Sequence, residues 1–322
     1  MCASWPALSQ GTVQHDGMSS MTPLRLAPGT RPLVPVPVLM YHAIGEPSCT
    51  LESTYTVTPA LFRRHLRLLR AEGWTLLGIE AMTARIRQGL ALPARTVGIT
   101  VDDGFACLHE HLGPELQNGL NATAYVVSGS LDAMARFDRD LGIRSRPMLS
   151  RMQLRELSDA GLEIGSHTVN HPDLRTLADA ALGNELVRSK HDLEHLLGRA
   201  VTSFAYPRGR FNRRVRQAVA DAGYLTACCT LGGLNDAGTD PFLIRRIQAG
   251  AQLDEGALMA ALQQGDTLTN RARRELRQWA VPVIAALQGR DPLDLMTEPL
   301  NLRGWIRSRV AAPSRRPASA PD

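Results

Sequence analysis

Residues 96–104 read Thr-Val-Gly-Ile-Thr-Val-Asp-Asp-Gly, an apolar and β-branched run that ends in two carboxylates and a glycine. A run of this kind predicts a buried strand, and the glycine predicts a turn directly after it. On a continuing strand the two carboxylates would point to opposite faces, and one of them would be buried at considerable cost. At a strand end, both can turn toward one pocket. A solvated loop that caps the following helix is the alternative.

Short strand-like runs and amphipathic helices alternate on both sides of this stretch. The strand-like runs are Val34–Tyr41, Thr75–Ile79, Thr96–Val101, Ala122–Val127, Leu162–Gly165, Thr202–Tyr206, Tyr224–Cys229 and Leu243–Ile247. The alternation predicts a parallel α/β architecture, either a barrel or a doubly wound sheet. Because no Gly-rich phosphate loop follows any of these runs, a nucleotide-binding sheet is poorly supported.

The composition, 44% hydrophobic and 21% charged in 322 residues, is that of a soluble globular protein. The alternation begins near residue 34 and stops near residue 266. We therefore predict a disordered N-terminal segment over 1–33, one domain over 34–265, and a basic helical or disordered tail over 266–322. No apolar run approaches the length of about 18 residues that a membrane-spanning helix needs.

The net charge of +5 resides in the tail, since ten Arg and five acidic residues fall between positions 271 and 322. A neutral body argues against nucleic-acid binding, which needs cations on the folded surface. For the tail we favour a solvated helix, with weak contact to acidic lipid headgroups as the alternative. Five irregularly spaced cysteines and an N-terminus without an apolar export segment predict a cytoplasmic protein. The oligomeric state cannot be predicted.

Further polar residues lie at or shortly after the ends of predicted strands, namely His42, His167 with His171, Arg208 and Arg246. In a parallel barrel the carboxyl ends of the strands form the face on which the active site is built. Two imidazoles and one carboxylate form a three-ligand set that leaves zinc an open position. The combination predicts a catalytic metal site, whereas the histidine pair alone could be two surface residues near a helix start.

Three motifs resemble, in order and spacing, the signature of polysaccharide deacetylases, the NodB-homology enzymes of carbohydrate esterase family 4. They are Thr-Val-Asp-Asp-Gly at 100–104, His-Thr-x-x-His at 167–171 and Phe-Ala-Tyr-Pro-Arg-Gly at 204–209. The third motif is most similar to the subgroup acting on poly-N-acetylglucosamine. The resemblance implies a distorted (β/α)7 barrel and metal-dependent removal of N-acetyl groups from N-acetylhexosamine units of a glycan or glycan precursor.

The resemblance also implies roles for individual residues. Asp103, His167 and His171 would bind a divalent metal, for which Zn²⁺ is expected and Co²⁺ or Ni²⁺ would also suit the ligands. Asp102 would be the general base for a water molecule whose pKa the metal lowers. In the third motif, the backbone amide of Arg208 would hold the oxyanion, and Tyr206 would contact substrate.

Two departures from the family pattern shift roles to other positions. Ala205 stands where many members have an arginine that steadies the base, and we assign that role to Arg246 rather than to an ordinary surface salt bridge. The C-terminal Leu-x-Leu-His motif that supplies the general acid is absent. Residues 38–42, Val-Leu-Met-Tyr-His, have the same form, as in circularly permuted members. We therefore predict that His42 is the general acid, with a structural histidine as the alternative.

Two other functions stay open. A deacylase or deformylase of a non-sugar amide would use the same chemistry on another substrate. A catalytically silent glycan-binding barrel would explain Ala205 and the missing C-terminal histidine, but the intact Asp102 and Asp103 favour an enzyme.

Overall fold

The computed structural model of the protein describes residues 35–137, 143–267, 277, 280–286 and 288–298. Its strands are β1 (Val38–Tyr41), β2 (Ala43–Ile44), β3 (Thr56–Val57), β4 (Thr75–Leu77), β5 (Thr96–Val101), β6 (Thr123–Val126), β7 (Glu163–Ser166), β8 (Ser203–Ala205), β9 (Thr226–Cys228) and β10 (Ile247–Gln248). Its helices are α1 (Thr50–Ser53), α2 (Pro59–Ala71), α3 (Ile79–Arg87), α4 (Cys107–Gln117), α5 (Arg151–Asp159), α6 (Asp179–Leu197), α7 (Arg213–Asp221), α8 (Glu255–Gln264) and α9 (Pro292–Leu295).

The main sheet is parallel throughout and curls into a distorted barrel. Its order is β10-β1-β5-β6-β7-β8-β9, and β4 pairs with the first half of β5. Ile244 forms a parallel bridge to Cys228 in β9, and three residues later β10 begins and pairs with β1. Residues 244–248 therefore connect the two ends of the sheet. This arrangement confirms the predicted barrel of alternating strands and helices.

The helix ends follow the local sequence. Thr58 caps α2 by accepting a hydrogen bond from the backbone N–H of Leu61, and Pro59 occupies the first turn. Gly73, with φ of 73°, allows the chain to leave α2 in the left-handed region. Local sequence therefore accounts for both ends of α2.

The core lies between the sheet and the surrounding helices. All six residues of β5 are buried, as expected for a parallel strand covered on both faces. The barrel interior also contains polar groups, since the hydroxyl of Tyr125 lies 2.7 Å from Ser203 Oγ and 3.1 Å from Cys228 Sγ. Because such buried groups need partners, the interior is shaped by hydrogen bonds as well as by apolar packing.

The predicted segments at the two ends of the chain are only partly described. Residues 1–33 and most of 266–322 lie outside the described residues, so the disordered N-terminal segment and the helical or disordered tail stay predictions. Within the tail, residues 280–286 are helical, and Thr297 donates a hydrogen bond to the backbone oxygen of Phe211. Over the part of the chain that the structure describes, no helix has the length and apolar character to cross a bilayer.

Candidate active site

The carboxyl ends of the barrel strands bring most of the predicted site residues to one cavity of about 500 Å³. Asp102 and Asp103 directly follow β5, because Gly104, with φ of 84°, turns the chain there. His42 follows β1, and His167 follows β7. The predicted residues that line this cavity are His42, Asp102, Asp103, His167, His171 and Arg208.

Asp103, His167 and His171 converge on one buried point. Nε2 of His167 lies 3.6 Å from Asp103 Oδ1, and Nε2 of His171 lies 3.7 Å from the same oxygen. One ligand atom from each residue lies within 4.8 Å of the others, and all three side chains are buried. This is the donor set of an open divalent metal site, with two imidazole nitrogens and one carboxylate oxygen.

The protonation of the two histidines suits metal binding. Nδ1 of His167 lies 2.7 Å from the backbone oxygen of Ala205, so an N–H at Nδ1 donates there and Nε2 carries the lone pair. Burial and the neighbouring His167 hold the pKa of His171 well below its usual range, which keeps that imidazole neutral. Because neutral imidazoles are the ligating form, the residues fit a divalent cation.

The backbone around these residues is strained. Asp103, Thr168, His171 and Arg208 all have positive φ, between 55° and 78°. Residues other than glycine rarely adopt this region, and they remain there only where the surroundings hold them. The strain is therefore concentrated at the site.

Asp102 is held by Arg246 through two hydrogen bonds. Nη1 of Arg246 donates to Oδ1 at 2.6 Å and Nη2 donates to Oδ2 at 2.7 Å, with both side chains buried. Arg246 also donates to Thr100 Oγ1 and to the backbone oxygen of Cys229. Burial alone would raise the pKa of Asp102, but the charge and the hydrogen bonds of Arg246 outweigh it and lower the pKa. Asp102 is therefore an ionised carboxylate of fixed orientation.

His42 lies on the cavity wall, 5.2 Å from Tyr55 between ring centroids. Its Nδ1 atom is buried and has no hydrogen-bond partner among the described residues. Burial lowers the pKa of His42 to about 4, because desolvation of the charged imidazole outweighs the attraction of Asp102. The imidazole is therefore neutral at pH 7.

Of the two residues predicted from the third motif, Arg208 lies at the cavity and Tyr206 does not. Arg208 lies in a tight turn at the cavity, and its Nη2 donates to the backbone oxygen of Phe137 at 2.5 Å. Tyr206, predicted to contact substrate, is instead fully buried, and its hydroxyl donates to the backbone oxygen of Phe242. Its ring packs on Phe204 and Phe211. We therefore place Tyr206 in the core, because the residue following β8 directs its side chain away from the cavity.

The cavity wall also contains an ion pair between Glu52 and Arg146, which the sequence patterns do not predict. Glu52 is 3% exposed and accepts a hydrogen bond from Nε of Arg146 at 2.6 Å. Both residues line the cavity, and they join the β2–β3 segment to the chain before α5. No motif contains them and 94 residues separate them, so only the three-dimensional packing brings them together.

Comparisons with known proteins agree with this architecture. Residues 90–227 match the family model described as polysaccharide deacetylase. YxkH of Bacillus subtilis (strain 168), whose name places it provisionally among polysaccharide deacetylases, is 24% identical over 229 residues, covering 71% of this chain and 76% of YxkH.

Solved structures of deacetylases share the fold. Streptococcus pyogenes deacetylase PplD, in complex with acetate, matches with a TM-score of 0.60 and 26% identity, covering 71% of this chain and 98% of PplD. IcaB from Ammonifex degensii matches with a TM-score of 0.55 and 21% identity, covering 68% of this chain and 93% of IcaB, which shows a likeness of fold. The chain therefore resembles polysaccharide deacetylases in sequence over residues 90–227 and in its fold, and these similarities support a hydrolase of the deacetylase type.

Proposed function

We propose that the protein is a divalent-metal-dependent N-deacetylase acting on N-acetylhexosamine units of a glycan or glycan precursor. The observation that carries this proposal is the position of Asp103, His167 and His171 in the same cavity as the ion-paired Asp102. This set supports a three-ligand metal site beside a charged carboxylate that would not itself bind the metal.

Asp103, His167 and His171 would hold the metal. When bound, a divalent ion such as Zn²⁺ polarises an amide carbonyl as a Lewis acid and lowers the pKa of water toward neutrality. Zn²⁺ is our first choice for this nitrogen and oxygen donor set, and Co²⁺ or Ni²⁺ would also suit it.

Asp102 would act as the general base. Its lowered pKa keeps it ionised at neutral pH, so it can accept the proton of the attacking water. Arg246 would be a positioning residue, because its two hydrogen bonds hold both oxygens of the Asp102 carboxylate in a fixed orientation.

His42 would act as the general acid toward the leaving amine. Since its pKa is about 4, it is neutral before the reaction and has to gain a proton during it. The proton that Asp102 would remove from water would be released into the cavity that both residues line. Arg208 would place its backbone amide toward the oxyanion, as a fixed donor in a strained turn.

The substrate proposal rests on the family and on the size of the cavity. A volume of about 500 Å³ suits a sugar unit rather than a buried polymer. The structure of the relative PplD contains acetate, which is the product that an N-deacetylase releases. A non-sugar amide is the second candidate, because the same residues would hydrolyse any amide that reaches them.

The test is acetate release from N-acetylglucosamine oligomers by the purified protein, after chelation and again after zinc is added back. We expect zinc-dependent release that is lost in Asp102→Asn, with His109→Ala, a partly exposed histidine outside the cavity, as the control. Release from simple N-acetyl amides but not from sugars would replace the glycan with another substrate. Glycan binding without any release would indicate a silent barrel. Cell fractionation would test our further proposal that the protein is cytoplasmic.

A further inference from the structure

Glu185, in α6, is a buried carboxylate that the proposed reaction does not use. Its Oε2 accepts hydrogen bonds from the backbone N–H groups of Val169 and Asn170, both at 2.9 Å. Its Oε1 accepts one from Nδ2 of Asn170 at 2.6 Å. Hydrogen bonds to an ionised acceptor are stronger than those between neutral groups. All three bonds end on the loop between His167 and His171.

Hydrogen bonds from residues 128 and 129 also hold the backbone of this loop. The backbone N–H groups of Ser128 and Gly129 donate to the carbonyl oxygens of Thr168 and Val169, both at 3.0 Å. Thr168 Oγ1 accepts from the N–H of His171 at 2.9 Å. Residues 128 and 129 therefore fix two carbonyl groups of the loop, and Glu185 fixes two of its N–H groups.

This double restraint matters because the loop is strained. Thr168 and His171 have φ of 70° and 58°, and each flanks the two residues that Glu185 binds. Without the carboxylate, the N–H groups of Val169 and Asn170 would lose their partner, and the loop could relax toward ordinary backbone angles. The two imidazoles would then no longer point at Asp103.

We propose that Glu185 is a positioning residue that sets the His167–His171 loop in its metal-binding conformation before the metal arrives. The inference rests on the proposed metal site. It assigns to Glu185 an effect on metal affinity, because a loop that is already ordered loses little freedom when the metal binds.

The test is a zinc titration of the metal-free protein against a chromophoric chelator, without any sugar present. We expect Glu185→Gln to weaken zinc binding by about tenfold or more. The matched control is Glu194→Gln on the same helix, whose carboxylate bonds Lys190 and the N–H of Val201 away from the loop. This control should bind zinc like the wild type.

Asn170→Ala provides a second variant in case Glu185→Gln does not fold. Asn170 is exposed, and its replacement removes only the Nδ2 bond, so we expect a folded protein with a smaller loss of zinc affinity. Wild-type affinity in both variants, or an equal loss in Glu194→Gln, would overturn the inference. Absence of zinc binding by the wild type would overturn it together with the proposed metal site. Glu185-dependent zinc binding without acetate release would support it and refute only the proposed activity.

Discussion

Asp102 and Arg246 form a buried bidentate ion pair across 144 residues of sequence. The arginine reaches its partner from the segment that closes the barrel. It also donates hydrogen bonds to Thr100 in β5 and to the backbone oxygen of Cys229, which follows β9. The pair therefore joins the chemistry of the site to the closure of the sheet.

Replacing only Arg246 should destabilise the protein more than replacing both members of the pair. Arg246→Met leaves the Asp102 carboxylate buried without a counterion, and we expect the free energy of unfolding to fall by about 3–5 kcal/mol. The double variant Asp102→Asn/Arg246→Met buries no lone charge and should lose less than the sum of the single variants. Urea unfolding of all four proteins measures the coupling, and strictly additive losses would contradict the role of the pair.

Metal binding should depend on His171 but not on every histidine. His171→Ala removes one of three ligands, so zinc affinity should fall by more than the roughly 10–100-fold that loss of an outer-shell partner costs. His195→Ala, an exposed histidine on α6, is the matched control and should retain the wild-type metal content after dialysis. Equal metal content in the two variants would place the metal elsewhere.

The stability of the metal-free protein should fall as the solution becomes acidic. The pKa of His42 is about 4 in the folded protein and about 6.5 in an unfolded chain, so the unfolded state binds a proton first as the pH drops. Stability is therefore lost between these two values. His42→Gln should lose less stability than the wild type between pH 7 and pH 5 in urea titrations.

The control for this measurement is His191→Gln, which changes an exposed imidazole on α6. It should follow the wild-type pH dependence. A wild-type slope in His42→Gln would show that other groups carry the acid sensitivity.

Two glycines in different surroundings should have opposite effects on stability when each is replaced by alanine. A Cβ at Gly165, in β7, would lie 2.4 Å from Cε1 of Tyr125, so Gly165→Ala should cost about 1–3 kcal/mol of stability. A Cβ at Gly183, within α6, meets nothing within 4 Å among the described residues, and Gly183→Ala should stabilise by about 0.5–1 kcal/mol. Thermal unfolding compares the two, and a neutral Gly165→Ala would mean that Tyr125 moves freely.

The fold and the centre of the site could be predicted because they depend on local patterns. Strand length and β-branched runs indicated the barrel, and polar residues after strands indicated the face on which Asp102, Asp103 and His167 lie. Arg246 could be assigned to Asp102 because it lies at the end of a predicted strand, on the same face of the sheet.

Other parts depend on packing that sequence patterns do not encode. Tyr206 lies inside a recognisable motif, but its side chain direction follows from the end of β8 and the neighbouring aromatic residues. Glu185 and the Glu52–Arg146 pair act from helices and connections whose docking is decided by tertiary contacts.

The closure of the barrel by residues 244–248 also has a consequence for biosynthesis. The ribosome adds Asp102 to the growing chain long before it adds Arg246. In a nascent chain that ends before position 246, the strands could enclose the Asp102 carboxylate only by burying a negative charge without its counterion. The counterion and the closing strand arrive together, in one short segment. A chain that ends before residue 246 therefore lacks both the segment that closes the sheet and the counterion of Asp102.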